Sequence, residues 1–174
     1  MPANVEIKAR LKDFEAMKKK VEAMSQQPGQ MLSQEDVFFN TSRGRLKLRL
    51  INGRQAELIF YERPDRNGPK FCHYELFTTD QPEKLKKVLS AALGERGVVR
   101  KTRYFYLVGQ TRIHLDRVEG LGDFLELEVV LQPGQTEADG QAIALDLMKR
   151  LGLDLESLID AAYIDLLEQT RISG

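Results

Sequence analysis

Residues 45–50 read RLKLRL, so a basic residue and a leucine alternate along the whole stretch. Related alternation occurs in four other short segments, at 5–10, 101–103, 112–116 and 125–129, with basic charge in some and acidic charge in others. Successive side chains of a β-strand point to opposite faces, so each segment has one face rich in charge. Because Arg, Lys, Glu and Asp dominate that face, we expect a sheet whose charged face has a functional role.

The alternation has an ordinary alternative, because an antiparallel sheet with one face in water shows it too. Against this stands the size of the apolar set, which includes Leu46, Leu48, Leu125 and Leu127 and needs cover. Amphipathic helices elsewhere in the chain can supply that cover, which would leave the charged side chains on the concave side. We therefore predict an α+β fold: a closed or strongly curved antiparallel eight-stranded β-barrel with a charged interior and helices packed outside, as one domain over 1–174.

Local signals set the expected elements. Asn52-Gly53 is a two-residue hairpin signal, Thr79 or Asp80 is expected to cap one helix, and Thr136 another. We predict strands at 5–10, 34–39, 45–51, 57–63, 70–77, 98–108, 111–118 and 124–131, and helices at 11–24, from 81 to the glycines at 94 and 97, at 137–151, and from Asp154 onward.

Charge and composition exclude several classes of protein. Lys plus Arg is 26 and Asp plus Glu is 26, so the net charge is zero, unlike that of a general binder of nucleic acid or membrane surfaces. No apolar run is long enough to span a membrane. The single cysteine, Cys72, fits a reducing compartment. With no signal-peptide pattern at the N-terminus, a cytoplasmic location is expected.

The basic residues of the inward faces predict an anion site. Several arginines and lysines that converge in a cavity repel one another unless an anion lies between them. The arginine fork matches phosphate oxygens, and lysine acts as a point charge. A polyphosphate is therefore the expected ligand, bound by local concentration of charge and not by the net charge of the chain.

The acidic residues predict a metal site beside it. Glu126 and Glu128 are two residues apart on one strand, so they point the same way, and with Glu6 and Asp116 they could hold Mg²⁺ or Mn²⁺. Cations on one wall and metal-binding carboxylates on another suit phosphoryl or nucleotidyl transfer. Simple salt bridges from the glutamates to the basic strands remain an equal alternative.

Other motifs are weaker. The chain has no GxxxxGK[ST] phosphate loop, no CxxC and no HExxH. Cys72 and His73 are adjacent, so on a strand they point to opposite faces and make a poor thiol–imidazole pair. His114 lies on the same face as Arg112 and Asp116, where it is as readily a satisfied polar residue as a substrate contact.

Over residues 4–167 the chain resembles the CYTH family, the triphosphate tunnel metalloenzymes. The residues that carry the resemblance are QEDVFF at 34–39, RLKLR at 45–49, RKTR at 100–103 and the long run from Thr111 to Glu128. They are most similar to the class IV adenylyl cyclase branch; the family also includes thiamine and inorganic triphosphatases. The resemblance implies eight antiparallel strands closed into a tunnel, dependence on Mg²⁺ or Mn²⁺, and homodimers, which are common in the cyclase branch.

The family's N-terminal Glu-x-Glu-x-Lys pattern is matched at Glu6 and Lys8, but Asn4 stands at the first Glu, so one metal position is weakened or lost. The resemblance implies metal carboxylates at Glu6, Asp116, Glu126 and Glu128, and a catalytic set of Glu6, Lys8, Asp116 and Glu126. It implies triphosphate contacts at Lys8, Lys47, Arg49, Arg63, Lys101, Arg103 and Arg112.

Three functions remain open from the sequence. The preferred one is a metal-dependent adenylyl cyclase, which converts ATP to cyclic AMP and pyrophosphate. The second is a triphosphatase that hydrolyses thiamine triphosphate, tripolyphosphate or a nucleotide with the same charged residues. The third is a non-catalytic module that binds phosphorylated ligands, with Asn4 as the sign of lost metal chemistry.

Overall fold

The computed structural model describes residues 3–25, 27–62 and 69–173. In these ranges the chain forms eight strands, four α-helices and a 3₁₀ turn at Leu155–Ser157. The helices are α1 (Phe14–Ser25), α2 (Pro82–Leu93), α3 (Glu137–Leu151) and α4 (Tyr163–Ser173). The strands are β1 (Ala3–Arg10), β2 (Gln30–Phe39), β3 (Arg45–Ile51), β4 (Gln55–Glu62), β5 (Lys70–Thr79), β6 (Glu95–Val108), β7 (Thr111–Val118) and β8 (Gly122–Val130).

The strands close into a barrel in the order β1-β5-β4-β3-β2-β6-β7-β8, and β8 pairs with β1 to complete the ring. Every neighbouring pair is antiparallel. The predicted fold, a closed eight-stranded antiparallel barrel with helices outside, is confirmed. A closed barrel has no open sheet edge, so all strands share one interior.

The apolar face of the sheet is the outer one, and helices cover it. Leu115, Leu125 and Leu127 of the sheet are fully buried against a layer that includes Val21 of α1 and Leu151 of α3. A smaller cluster lies under α4, and a third lies under α2. The alternative of a sheet with its polar face in open water is therefore wrong, because the polar face is turned inward.

Two predicted local signals appear as expected. Asn52 and Gly53 have φ angles of 51° and 70° between β3 and β4, the positive values that a type I′ hairpin requires. The hydroxyl of Thr136 accepts a hydrogen bond from the backbone N–H of Asp139, whose carboxylate accepts one from the backbone N–H of Thr136. This reciprocal pair fixes the start of α3.

Two predicted details of the α2 region are wrong. Gln81 occupies the N-cap position of α2 without a side-chain capping hydrogen bond, and its N–H donates to the hydroxyl of Thr79, so neither Thr79 nor Asp80 is the cap. Gly97 lies inside β6 and does not end α2. A Cβ at Gly97 would come within 2.6 Å of Ile164 Cδ1, so the glycine allows the close approach of α4.

The last helix begins at Tyr163 and not at Asp154. The intervening chain is held against β1, because Ile159 N–H donates to the carbonyl of Lys8 and Leu158 forms a bridge with Ala9. Backbone groups paired with a strand cannot also form a helix. None of the helices in the described ranges is both long and apolar enough to cross a membrane.

Candidate active site

The barrel interior contains a cavity of about 300 Å³ lined by side chains from all eight strands. Among the residues that the structure describes, its charged lining is mixed in sign, and the cations and carboxylates are nearly balanced. The cations are Lys8, Lys47, Arg49, Lys101, Arg103 and Arg112. The carboxylates are those of Glu6, Asp36, Glu57, Glu126 and Glu128.

The cavity contains most of the residues that the sequence singled out. All the predicted triphosphate contacts line it except Arg63, which lies outside the described residues. Glu6, Glu126 and Glu128 also line it, whereas Asp116 is fully buried behind Arg103. The structure thus brings these side chains together, and their roles in binding stay predictions.

Two other basic residues of the alternating strands lie at the ends of the barrel instead. Arg45 donates to Asp165 of α4 at 2.7 Å. Arg10 is exposed, stacks over Phe124 and donates to the carbonyl of Leu121. Neither side chain belongs to the cavity lining.

Asp36 of β2 holds one group of cations together. Its oxygens accept two hydrogen bonds of 2.8 Å from Arg49 and one of 2.9 Å from Lys101, and Lys47 Nζ lies 3.6 Å away. Burial by itself would raise the pKa of Asp36, but Arg49, Lys101 and Lys47 outweigh it and hold that pKa well below its usual value. Asp36 is therefore a permanent anion.

The two lysines of this group have lowered pKa values. Burial, with the neighbouring Arg49, lowers the pKa of Lys47 to about 8. Burial lowers the pKa of Lys101 to about 7 even though Asp36 lies beside it. Both lysines therefore titrate near neutral pH, where a bound anion would favour their charged forms.

Arg103 of β6 is held from behind by Asp116 of β7. The guanidinium donates two hydrogen bonds to the Asp116 carboxylate, of 2.8 and 2.7 Å, and both side chains are buried. Tyr163 donates its hydroxyl proton to the same carboxylate at 2.8 Å. Asp116 thus orients Arg103 toward Glu126, whose Oε2 lies 3.3 Å from the guanidinium.

Next to Arg103 lies a cluster of metal-ligand type, formed by His114, Glu126 and Glu128, whose ligand atoms all lie within 4.8 Å of one another. Burial would raise the pKa of both glutamates. Lys8 chiefly offsets this for Glu126, and His114 and Arg112 do so for Glu128, so both pKa values are lowered. The salt bridges left open by the sequence are present, from Lys8 to Glu126 at 3.3 Å and from Arg112 to Glu128 at 3.0 Å.

The Asn4 side chain is buried next to this cluster. With its amide oriented so that both ends are paired, its oxygen accepts a hydrogen bond of 3.2 Å from Arg112 and its nitrogen donates to the carbonyl of Ala3. Asn4 therefore occupies its position as a neutral, hydrogen-bonded residue.

Tyr163 closes one side of the cavity from outside the sheet. Lys8 Nζ lies 3.8 Å from the centre of its ring, within the range of a cation–π interaction. Sequence reasoning missed Tyr163, Glu57 and Asp36 as cavity residues. Asp36 shares its face of β2 with Gln34 and Phe38, which also line the cavity, but Glu35 on the other face is polar too, so the sequence did not mark Asp36 as inward.

Comparisons with known proteins agree with this geometry. The family model of the CYTH domain matches residues 2–163. Adenylate cyclase CyaB of Aeromonas hydrophila is 29% identical over 178 residues, which cover 95% of this chain and 89% of that protein. The PH1012 protein of Pyrococcus horikoshii OT3 has a similar structure, with a TM-score of 0.83 and 30% identity over 94% of this chain and 98% of that one. HpAC1 from Hippeastrum, described with a dominant triphosphatase activity, shares the fold at 15% identity and a TM-score of 0.65, over 93% and 91% of the two chains.

Proposed function

Because this chain belongs to the CYTH domain family, we propose that it is a divalent-metal-dependent enzyme that acts on a triphosphate, and that it converts ATP to cyclic AMP and pyrophosphate. The choice of reaction is supported by the similarity to adenylate cyclase CyaB over most of both chains. The observation that carries the proposal is the cavity itself, where six cations of the described residues converge from four strands. Such convergence is costly unless an anion shares the space.

The triphosphate would lie between two groups of cations. Lys47, Arg49 and Lys101 form one group around Asp36, and Arg103 and Lys8 form the other around Glu126. Each arginine presents a planar fork that suits two phosphate oxygens, and each lysine adds a point charge. Asp36 and Asp116 orient the forks before the substrate arrives, so little ordering is needed on binding.

The residues present fit a divalent cation. Glu126 and Glu128 offer carboxylate oxygens on one face of β8, and Glu6 lies directly opposite Glu128 in the register with β1. Like charges directly opposite each other on neighbouring strands are unfavourable, and a cation between them removes that cost. Glu6, Glu126 and Glu128 would therefore hold Mg²⁺ or Mn²⁺, with Asp116 kept for Arg103. A bound ion supplies charge neutralisation at the phosphate oxygens and makes a nearby hydroxyl group more acidic.

A triphosphatase is the second candidate function, and the small size of the cavity supports it. A volume of about 300 Å³ is at the lower end of the range for small-molecule pockets, so a triphosphate alone would occupy most of it. Tripolyphosphate would then bind without a nucleoside. The two reactions share the cations and differ in which phosphorus faces the nucleophile.

The test is incubation of the purified protein with ATP, thiamine triphosphate and tripolyphosphate, each with Mg²⁺ or Mn²⁺. Cyclic AMP plus pyrophosphate supports the cyclase, and orthophosphate release supports the triphosphatase. Binding without turnover of any of the three contradicts both and leaves a binding module.

Glu126→Gln tests the metal wall directly. We expect it to abolish metal-dependent turnover in a protein that still folds, with a lowered Tm because the carboxylate also pairs with buried Lys8 and Arg103. Glu119→Gln, in the exposed turn between β7 and β8, is the matched control and should change neither. Full turnover in Glu126→Gln would remove Glu126 from the site.

A further inference from the structure

We infer, on the premise of the proposed function, that His114 is a ligand of the divalent cation and that its nitrogen makes the site bind Mn²⁺ in preference to Mg²⁺. His114 lies on β7 directly opposite Glu126 of β8. Its Nδ1 is 3.6 Å from Glu126 Oε2 and 3.9 Å from Glu128 Oε1. These distances exceed those of a hydrogen bond and leave the three ligand atoms around a common point.

The second observation is the state of that nitrogen. The His114 side chain is 5% exposed, and Nδ1 has no hydrogen-bond partner in the part of the chain that the structure describes. A buried polar atom without a partner is costly, and such atoms are rare in folded proteins. A cation held jointly by Nδ1 and the two carboxylates satisfies all three groups at once.

The ring is also held in place. Its centre lies 5.6 Å from that of Phe105, the residue opposite it on β6. An imidazole restrained by packing on one side and aimed at two carboxylates on the other resembles a prepared ligand, since ligand orientation in metal sites is set by surrounding contacts.

The donor set decides the metal preference. Mg²⁺ takes oxygen ligands and tolerates little departure from them, whereas imidazole nitrogen suits first-row transition ions. Asn4 adds to the bias, because it contributes no charge and its amide pairs with Arg112 and Ala3. Compared with a site made of carboxylates alone, a site with one nitrogen and fewer carboxylates loses more affinity for Mg²⁺ than for Mn²⁺.

Pulsed electron paramagnetic resonance of Mn²⁺ bound to the full chain tests this directly. Tripolyphosphate is the anion in the experiment because it contains no nitrogen. The chain has only two histidines, and His73 lies on the outer face of β5, since its neighbour Cys72 points into the cavity. We expect a ¹⁴N coupling of imidazole type in the wild type and in His73→Gln, and its loss in His114→Gln.

The same variants are then compared by metal titration. We expect His114→Gln to weaken Mn²⁺ binding by about tenfold or more and Mg²⁺ binding by less than about threefold. His73→Gln should change neither. Equal losses for the two metals would overturn the preference for Mn²⁺.

Labelling removes any dependence on whether His114→Gln folds. In His73→Gln protein made with ¹⁵N-histidine, His114 is the only labelled residue, so the nitrogen coupling must change from ¹⁴N to ¹⁵N. Mn²⁺ that binds with no histidine coupling overturns this inference and leaves the proposed function standing. Failure of Mn²⁺ and Mg²⁺ to bind at all, with tripolyphosphate present, overturns both.

Discussion

Asp36 lies opposite Arg49 in the register between β2 and β3, and its two carboxylate oxygens accept hydrogen bonds of 2.8 Å from Nε and Nη2 of that guanidinium. The same carboxylate accepts a hydrogen bond from Lys101, and the charge of Lys47 is near. One buried anion therefore keeps three cations of the cavity in place. This arrangement allows a cationic surface to be assembled before a triphosphate binds.

Asp36→Asn should destabilise the protein by about 3–5 kcal/mol, because it leaves three buried cations without their counter-charge. Tripolyphosphate should restore much of the loss, since its oxygens replace the missing anion. The measurement is thermal unfolding with and without tripolyphosphate. Glu35→Gln is the control, because Glu35 faces outward on the same strand and pairs only with exposed Arg100 among the described residues. An equal rise in Tm with tripolyphosphate for wild type and Asp36→Asn would contradict the role given to Asp36.

Triphosphate affinity should fall as the pH rises from about 7 to about 9. The pKa of Lys101 is about 7 and that of Lys47 about 8, so both lose their protons in this range. Only the charged forms attract the anion, so binding raises both pKa values and takes up protons. For each proton taken up on binding, the affinity falls by at most about tenfold for every unit by which the pH rises.

Calorimetric titration with tripolyphosphate at about pH 8, in buffers of different ionisation enthalpy, counts these protons. Lys101→Arg is the matched variant, because arginine keeps its charge throughout this range, and it should take up fewer protons. A binding heat that is the same in every buffer would refute the proposed proton uptake.

Arg103→Lys should weaken tripolyphosphate binding by about tenfold and lower the free energy of unfolding by about 1–3 kcal/mol. Lysine keeps the charge but cannot make the two parallel hydrogen bonds to Asp116. Arg100→Lys, three residues earlier on β6 and exposed, is the control and should change stability by less than about 0.5 kcal/mol. The measurements are calorimetric titration and chemical denaturation; unchanged affinity in Arg103→Lys would count against a phosphate contact there.

Tyr163 has two separable contacts. Tyr163→Phe removes the hydrogen bond to Asp116 and keeps the ring under Lys8, so we expect a loss of about 1.5–3 kcal/mol in stability and little change in triphosphate affinity. Tyr163→Leu also removes the ring and should weaken binding by a further factor of about three to ten. Denaturation and calorimetry on the pair distinguish the contacts. Equal affinities in the two variants would show that the ring does not position Lys8.

Many side chains that line the cavity could be predicted, because they follow the two-residue repeat of a β-strand. Lys47 and Arg49 share a face of β3 whatever surrounds them, and so do Glu126 and Glu128 on β8. Their leucine neighbours are buried under helices, which sets the direction of that face. The hairpin at Asn52 was equally predictable, because it depends on two adjacent residues only.

Asp36 shows where the pattern fails. Residues 34–39 read QEDVFF, so polar and apolar residues occur on both faces of β2 and the alternation does not say which face is inward. A periodic pattern also does not predict which residues lie at the ends of the barrel. Arg45 shares its face with Lys47 and Arg49, yet its partner is Asp165 of α4.

The sequence by itself determined which side chains share a face and that the apolar face needs cover, because strand geometry and the cost of exposed leucines act locally along the chain. Only the tertiary structure decided which charges meet. Tyr163 reaches Asp116, and His114 turns its Nδ1 toward Glu126 and Glu128, only after β1, β7 and β8 are brought side by side. Such contacts depend on strand order and register around a closed ring, which no short stretch of residues encodes.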